Sequence, residues 1–223
     1  MIDQLEHLRR ETESCLRVFY SLKQFRSYLQ EGETTALLNK NPEFWQVYEI
    51  SVRSRLFIGI RRLYEGKNNT FNFQNFINKC IASVDDFSKD KLRKRKLSLG
   101  QESTEWIDSY MEGVYEATEE DFRTLSKIVR SNSKRMKGIY SDAASTIYAH
   151  GVHMDHAKIS QISDQLNFDE MEKALLSIWH CYEQVWQMYL NGQKPLLEVI
   201  QYPYKSEVIE SLDKQLGLIN EIA

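Results

Sequence analysis

The chain of 223 residues is long enough for one large hydrophobic core, and its three prolines and nine glycines favour long helices over a strand-and-turn architecture. A net charge of −3 argues against wholesale polyanion binding but is compatible with a basic face on part of the surface. The longest apolar stretch, Val52 to Ile60, is broken by Arg53 and Arg55 and falls short of the roughly 18 residues that predict a membrane span.

The first helix is predicted over residues 3–30, where Leu5, Leu8, Thr12, Cys15, Phe19, Leu22 and Leu29 recur at three- and four-residue steps, and Gly32 closes it. A second helix opens at Asn41-Pro42-Glu43, a cap, a first-turn proline and an acid that suits the positive helix end, and runs to Gly66. Its apolar residues cover more than half of the circumference, which predicts the central helix. Phe73 to Val84 reads as a shorter helix. Residues 85–103 are the most polar segment, and the basic run from Asp90 to Lys96 within it reads as solvated helix surface, an RNA patch or a localisation signal.

A third long helical region is predicted over residues 104–139, with a kink near Glu116 to Glu120, followed by a shorter, irregular stretch over 140–166. The cleanest period in the chain, Phe168, Met171, Leu175, Ile178, Tyr182, Val185 and Tyr189, predicts a last long helix over 168–190 that Gly192 and Pro195 end. A tail helix over 205–220 follows. The fold class is therefore all-α, an up-and-down bundle of four long helices with shorter accessory helices. Residues 1–200 form the bundle domain, and 201–223 are a helical tail expected to pack on it. Asp3 begins a charged N-terminus, which predicts no secretory leader. Cys15, Cys80 and Cys181 lie far apart without a CxxC pair, so they read as small core residues of a cytoplasmic protein.

Three of the five histidines, His150, His153 and His156, fall within seven residues, with Asp155 among them. Metal binding is one reading, although the pattern matches no common zinc spacing and lacks the glutamates of di-iron bundles. Bonds to backbone carbonyls at a helix junction are another. A third is acid–base chemistry on RNA, where histidine moves protons near neutral pH and cations stabilise the developing phosphorane charge without a metal. Cations precede the cluster: Arg123, Lys127, Arg130, Lys134 and Lys137, with Arg135 beside them, are spaced so that one helix carries them as a basic stripe. A solvated polar face is the alternative reading of that stripe.

The stretch from Asn41 to Ile77, with Phe44-Trp45 leading an apolar helix that ends in Arg62-Leu63-Tyr64-Glu65, resembles the HEPN-type domains related to the abortive-infection U proteins. Ala149-His150 followed by Asp155 is similar to a second patch of the same domains, and the diffuse likeness covers residues 1–195. The resemblance implies a homodimer with a composite cleft around an Arg-x4–6-His motif, and a metal-independent ribonuclease or an inactive binding module of toxin or phage-defence systems. His150 matches the motif histidine, but Ala143, Ala144 and Ser145 occupy the window where the arginine belongs. Arg135, Lys137 or Arg62 would have to substitute for it. On this reading His150 transfers the proton, His153 and Asp155 orient His150 or the substrate, and Arg123, Lys127, Arg130, Lys134, Arg135, Lys137 and Arg62 contact RNA. No cofactor, metal or membrane is expected, and an antitoxin or another protein is the further partner class. The alternative is a catalytically silent helical module that binds a protein or nucleotide.

Overall fold

A computed structural model describes residues 1–64, 71–98, 105–136, 140 and 167–222, and every regular element in them is helical. In chain order these are α1 (Ile2–Tyr28), α2 (Gly32–Leu38), α3 (Pro42–Tyr64), α4 (Phe73–Ala82), a 3₁₀ turn (Val84–Phe87), α5 (Lys89–Ser98), α6 (Trp106–Glu112), α7 (Glu119–Arg135), α8 (Phe168–Asn191) and α9 (Lys205–Ile222). The described residues form an all-α bundle in which α1 packs on α3, α8 and α9, while α7 packs on α8 and α4. None of these helices is long and apolar enough to cross a membrane.

The central helix is α8, which corrects the expectation for α3. Thirteen residues of α8 are buried, from Met171 to Met188, against seven of the similarly long α3. Breadth of apolar surface misled here: Phe44, Val47 and Ile50 widen the apolar arc of α3, yet they face outward and are exposed. Two close approaches lock α3 into the core. Tyr64 donates its hydroxyl to the Ala174 carbonyl of α8 at 2.9 Å. At Gly59, a Cβ would run into Cys15 Sγ on α1, so the small residue sets the distance between the two helices.

Gly32 does not close the first helix. Leu29 caps α1 in right-handed helical geometry, and Gly32 begins α2, whose Leu38 joins Phe25, Tyr28, Trp45, Leu212 and Leu216 in a second, smaller core beneath the tail helix. The predicted third helix is also interrupted rather than kinked: α6 ends at Glu112 and α7 starts afresh at Glu119. The break has a chemical cause. Asp121 Oδ2 accepts from the Thr118 backbone N–H (2.7 Å), the Thr118 hydroxyl (2.8 Å) and the Tyr115 hydroxyl (2.8 Å). The backbone bond is one half of a capping box, with Asp in the place of Glu.

The carboxylate of Glu172 gathers three helices, accepting from Tyr20 (3.0 Å) and Lys23 (2.7 Å) of α1 and Lys205 (3.3 Å) of α9. Burial alone would raise its pKa, but these donors outweigh burial and hold it below the ordinary glutamate value. The three cysteines are free and buried, with burial pushing the thiols of Cys15 and Cys80 up to about 12.

His180 lies fully buried on α8 with neither ring nitrogen hydrogen-bonded among the described residues. Burial lowers its pKa from the ordinary 6.5, outweighing a weak backbone contact at Leu196. The folded chain therefore resists a proton that the unfolded chain accepts. The associated stability is fully present above about pH 6.5 and is lost as pH falls below it. Urea midpoints at pH 7.5 and 5.5 should drop for the wild type and drop less for His180→Leu; an equal drop would remove His180 as the cause.

Candidate nucleic-acid interface

The polar faces of α4 and α7 meet because both helices bury their other side. In α4, Phe73, Phe76, Ile77 and Cys80 point into the core, and the Asn72 side chain caps the helix by accepting from the Asn75 N–H at 2.9 Å. In α7, Phe122, Leu125 and Val129 are buried. What remains between them is a shallow cleft of about 240 Å³ lined by Gln74, Asn78 and Ile81 of α4 and Arg123, Ser126, Lys127 and Arg130 of α7. Three residues of the predicted basic stripe thus share one concavity.

Arg123 donates to Glu119 at 2.9 Å and Lys127 to Glu120 at 3.2 Å. Helical side chains lean toward the N-terminus, so the cations of the second and third turns reach back to the acids of the first. The Glu119 hydrogen bond holds the Arg123 guanidinium above its ordinary pKa. Both pairs are exposed to water, which screens them, so an incoming anion displaces them at little cost. Arg130 Nε donates to Gln74 Oε1 at 2.8 Å, tying α7 to α4.

Lys134 and Arg135 follow on the last turn of α7, but their side chains lie outside the described residues, as do Lys137, His150, His153, Asp155 and His156. The flanks of that undescribed stretch are in contact. Tyr140 is buried against Phe57, and its hydroxyl accepts from the Asn167 N–H at 3.1 Å and lies 3.2 Å from the Asn167 carbonyl. Asn167 in turn caps α8 through bonds from the Asp169 and Glu170 N–H groups.

Arg62 lies elsewhere. It is on the last turn of α3, with Nη1 3.7 Å from Glu11 of α1, a carboxylate that Arg55 also approaches at 3.4 Å, and it does not line the α4–α7 cleft. The basic run of α5 is more than solvated surface. Arg95 stacks 4.0 Å from the Tyr189 ring centre and donates to the carbonyls of Asp86 and Tyr189, both at 2.7 Å, and burial lowers its pKa. Lys96 reaches Asn191 Oδ1 at 3.2 Å, so this part of the run clamps the C-terminal end of α8.

Gln74, Asn78 and Ser126 were not singled out by the sequence. Their only signal is the four-residue spacing of Gln74 and Asn78 on one face of a short helix, which any solvated face would also show. Among the described residues no group of three His, Cys, Asp or Glu side chains is placed to hold a metal ion.

No curated protein and no solved structure matches the chain. The family model described as AbiU2, a HEPN family, matches residues 1–206, a span that takes in α1 through α8 and the first residues of α9. With nearly the whole chain matched, including the α7 cleft and the histidine segment, this protein belongs to the HEPN AbiU2 family.

Proposed function

We propose that this HEPN-family chain binds single-stranded RNA along the basic face of α7 and cleaves it without a metal ion, His150 transferring the proton. The observation that supports this reading is the convergence of Arg123, Lys127 and Arg130 on one cleft. Phosphate contacts by Lys and Arg supply most sequence-independent RNA affinity. Attack of a ribose 2′-oxygen on the adjacent phosphorus forms one P–O bond and breaks the bond to the 5′-oxygen. His150 removes the 2′-proton, solvent supplies one to the departing 5′-oxygen, and nearby cations hold the charge that builds on the phosphate oxygens. His153 and Asp155 are the residues that would orient His150.

The test is cleavage of labelled single-stranded RNA in EDTA. The expected products carry 2′,3′-cyclic phosphate ends, and His150→Ala abolishes them while circular dichroism stays helical. Neutralising Lys127, Arg130 and Lys134 together should weaken binding and flatten its salt dependence, each lost contact lowering the log–log slope by about 0.7. A second reading, a silent RNA-binding module, is favoured by the absence of arginine at residues 143–145. Wild type and His150→Ala binding RNA equally with no cleavage by either would establish that reading instead. No RNA binding by the wild type at low salt would end both.

A further inference from the structure

Helix α3 carries an apolar stripe that the bundle leaves open. Phe44, Val47 and Ile50 recur every three residues on its outer side and are 55%, 64% and 54% exposed. Ser51, Ser54 and Ile58 continue the stripe at three- and four-residue steps, exposed or half-buried. The charges midway along the helix turn away from it. Glu49 and Arg53 pair with each other, Arg26 of α1 approaches Glu49 at 3.7 Å, and Arg55 reaches Glu11 of α1 at 3.4 Å. What charge the outer side keeps is at its two ends, Glu43 in the first turn and Arg61 and Arg62 in the last. Single exposed apolar side chains are ordinary, but a continuous row of them rimmed by charge marks an interaction face.

We propose that two copies of this chain pair through the outer faces of α3, antiparallel about a two-fold axis near Ser51 and Ser54. A two-fold contact puts the same patch on both sides, so the patch must complement itself. The stripe does so in one direction only. In parallel helices Glu43 would face Glu43, and the arginines would face arginines. In antiparallel helices with Ser51 opposite Ser54, Val47 faces Ile58, and Glu43 and Phe44 meet Arg61 and Arg62, every contact occurring twice. The small serines let the two backbones approach at the crossing, the apolar pairs flank them, and opposite charges fix the register at the ends. A foreign partner places no such demand on a single helix, so the self-complementary order of the stripe selects a second copy. One helix pair engages fewer residues than the roughly 20–30 a side of a standard interface, so the association is weak, with a Kd on the order of 10–100 μM. Unfolding measured at submicromolar chain therefore reads the monomer. The pairing depends neither on RNA binding nor on the histidine motif.

Sedimentation equilibrium over roughly 1–200 μM chain, a range that brackets this affinity, tests the pairing. Wild type should pass from monomer to dimer as concentration rises. Val47→Glu sets a carboxylate against Ile58 of the other copy and should weaken the dimer about tenfold or more, while circular dichroism stays helical because the site is exposed. Glu43→Arg should weaken it through like-charge contacts, and so should Arg61→Glu combined with Arg62→Glu. An equimolar mixture of those two variants should pair again, since each supplies the charge that the other lacks. A wild type that stays monomeric at the highest concentration would overturn the proposal and leave the face to a partner of another kind. A dimer that Val47→Glu leaves intact would overturn it in favour of another surface. A mixture that associates no more tightly than either charge variant alone would overturn the antiparallel pairing.

Discussion

Leu56→Ala is expected to lower the unfolding free energy by about 2–5 kcal/mol, the range for truncating a fully buried leucine. Leu56 is entirely excluded from solvent on the inner face of α3. Together with Leu22 of α1 and Met171 of α8, it borders a small interior crevice, so the three longest helices of the core meet there. Removing the isobutyl group forfeits its transfer energy and enlarges a gap that neighbouring helices, each fixed by other contacts, close incompletely. For a chain of this size the thermal midpoint should fall by roughly 4–20 °C. Val47→Ala, on the same helix but 64% exposed, is the control and should stay within about 0.5 kcal/mol. Equal effects at the two positions would mean that the inner and outer faces of α3 are wrongly assigned.

Gly192→Ala is expected to lower the unfolding free energy by about 2–4 kcal/mol. Gly192 ends α8 in the left-handed conformation, with φ of 57°, where a side chain is already disfavoured. A Cβ there would also lie 2.6 Å from Val114 Cγ1 and 2.7 Å from Leu92 Cδ2, so α5 and the α6–α7 connection would have to retreat. The same residue accepts the Tyr115 N–H at 2.7 Å. Strain and displacement therefore add at one site. Denaturant unfolding monitored by tryptophan fluorescence measures the loss; a change below about 0.5 kcal/mol, the scale of ordinary surface sites, would show that the neighbouring side chains yield freely.

The helices were legible where burial is one-sided. The heptad-like recurrence from Phe168 to Tyr189 identified α8, and Asn41-Pro42 marked the start of α3, where the Asn41 side chain accepts from the Phe44 N–H at 3.3 Å. Reading failed where the deciding interaction was tertiary. Nothing local distinguishes the outward Phe44, Val47 and Ile50 from the inward Leu56, Phe57 and Ile60, so α3 looked more central than α8. The break before α7 was written in the sequence as Thr118-Glu119-Glu120-Asp121, a capping signal hidden by the strong helix propensity around it. For the candidate site, the cations were legible through spacing. Their neighbours on α4 were not, because Gln74 meets Arg130 only across 56 residues of chain.

The contact between Tyr140 and Asn167 makes one hydroxyl hold the residue whose side chain caps α8. Tyr140→Phe would keep the ring against Phe57 and remove only that tie. Fraying at the start of α8, read by hydrogen exchange at the Asp169 and Glu170 N–H groups, should therefore follow Tyr140→Phe.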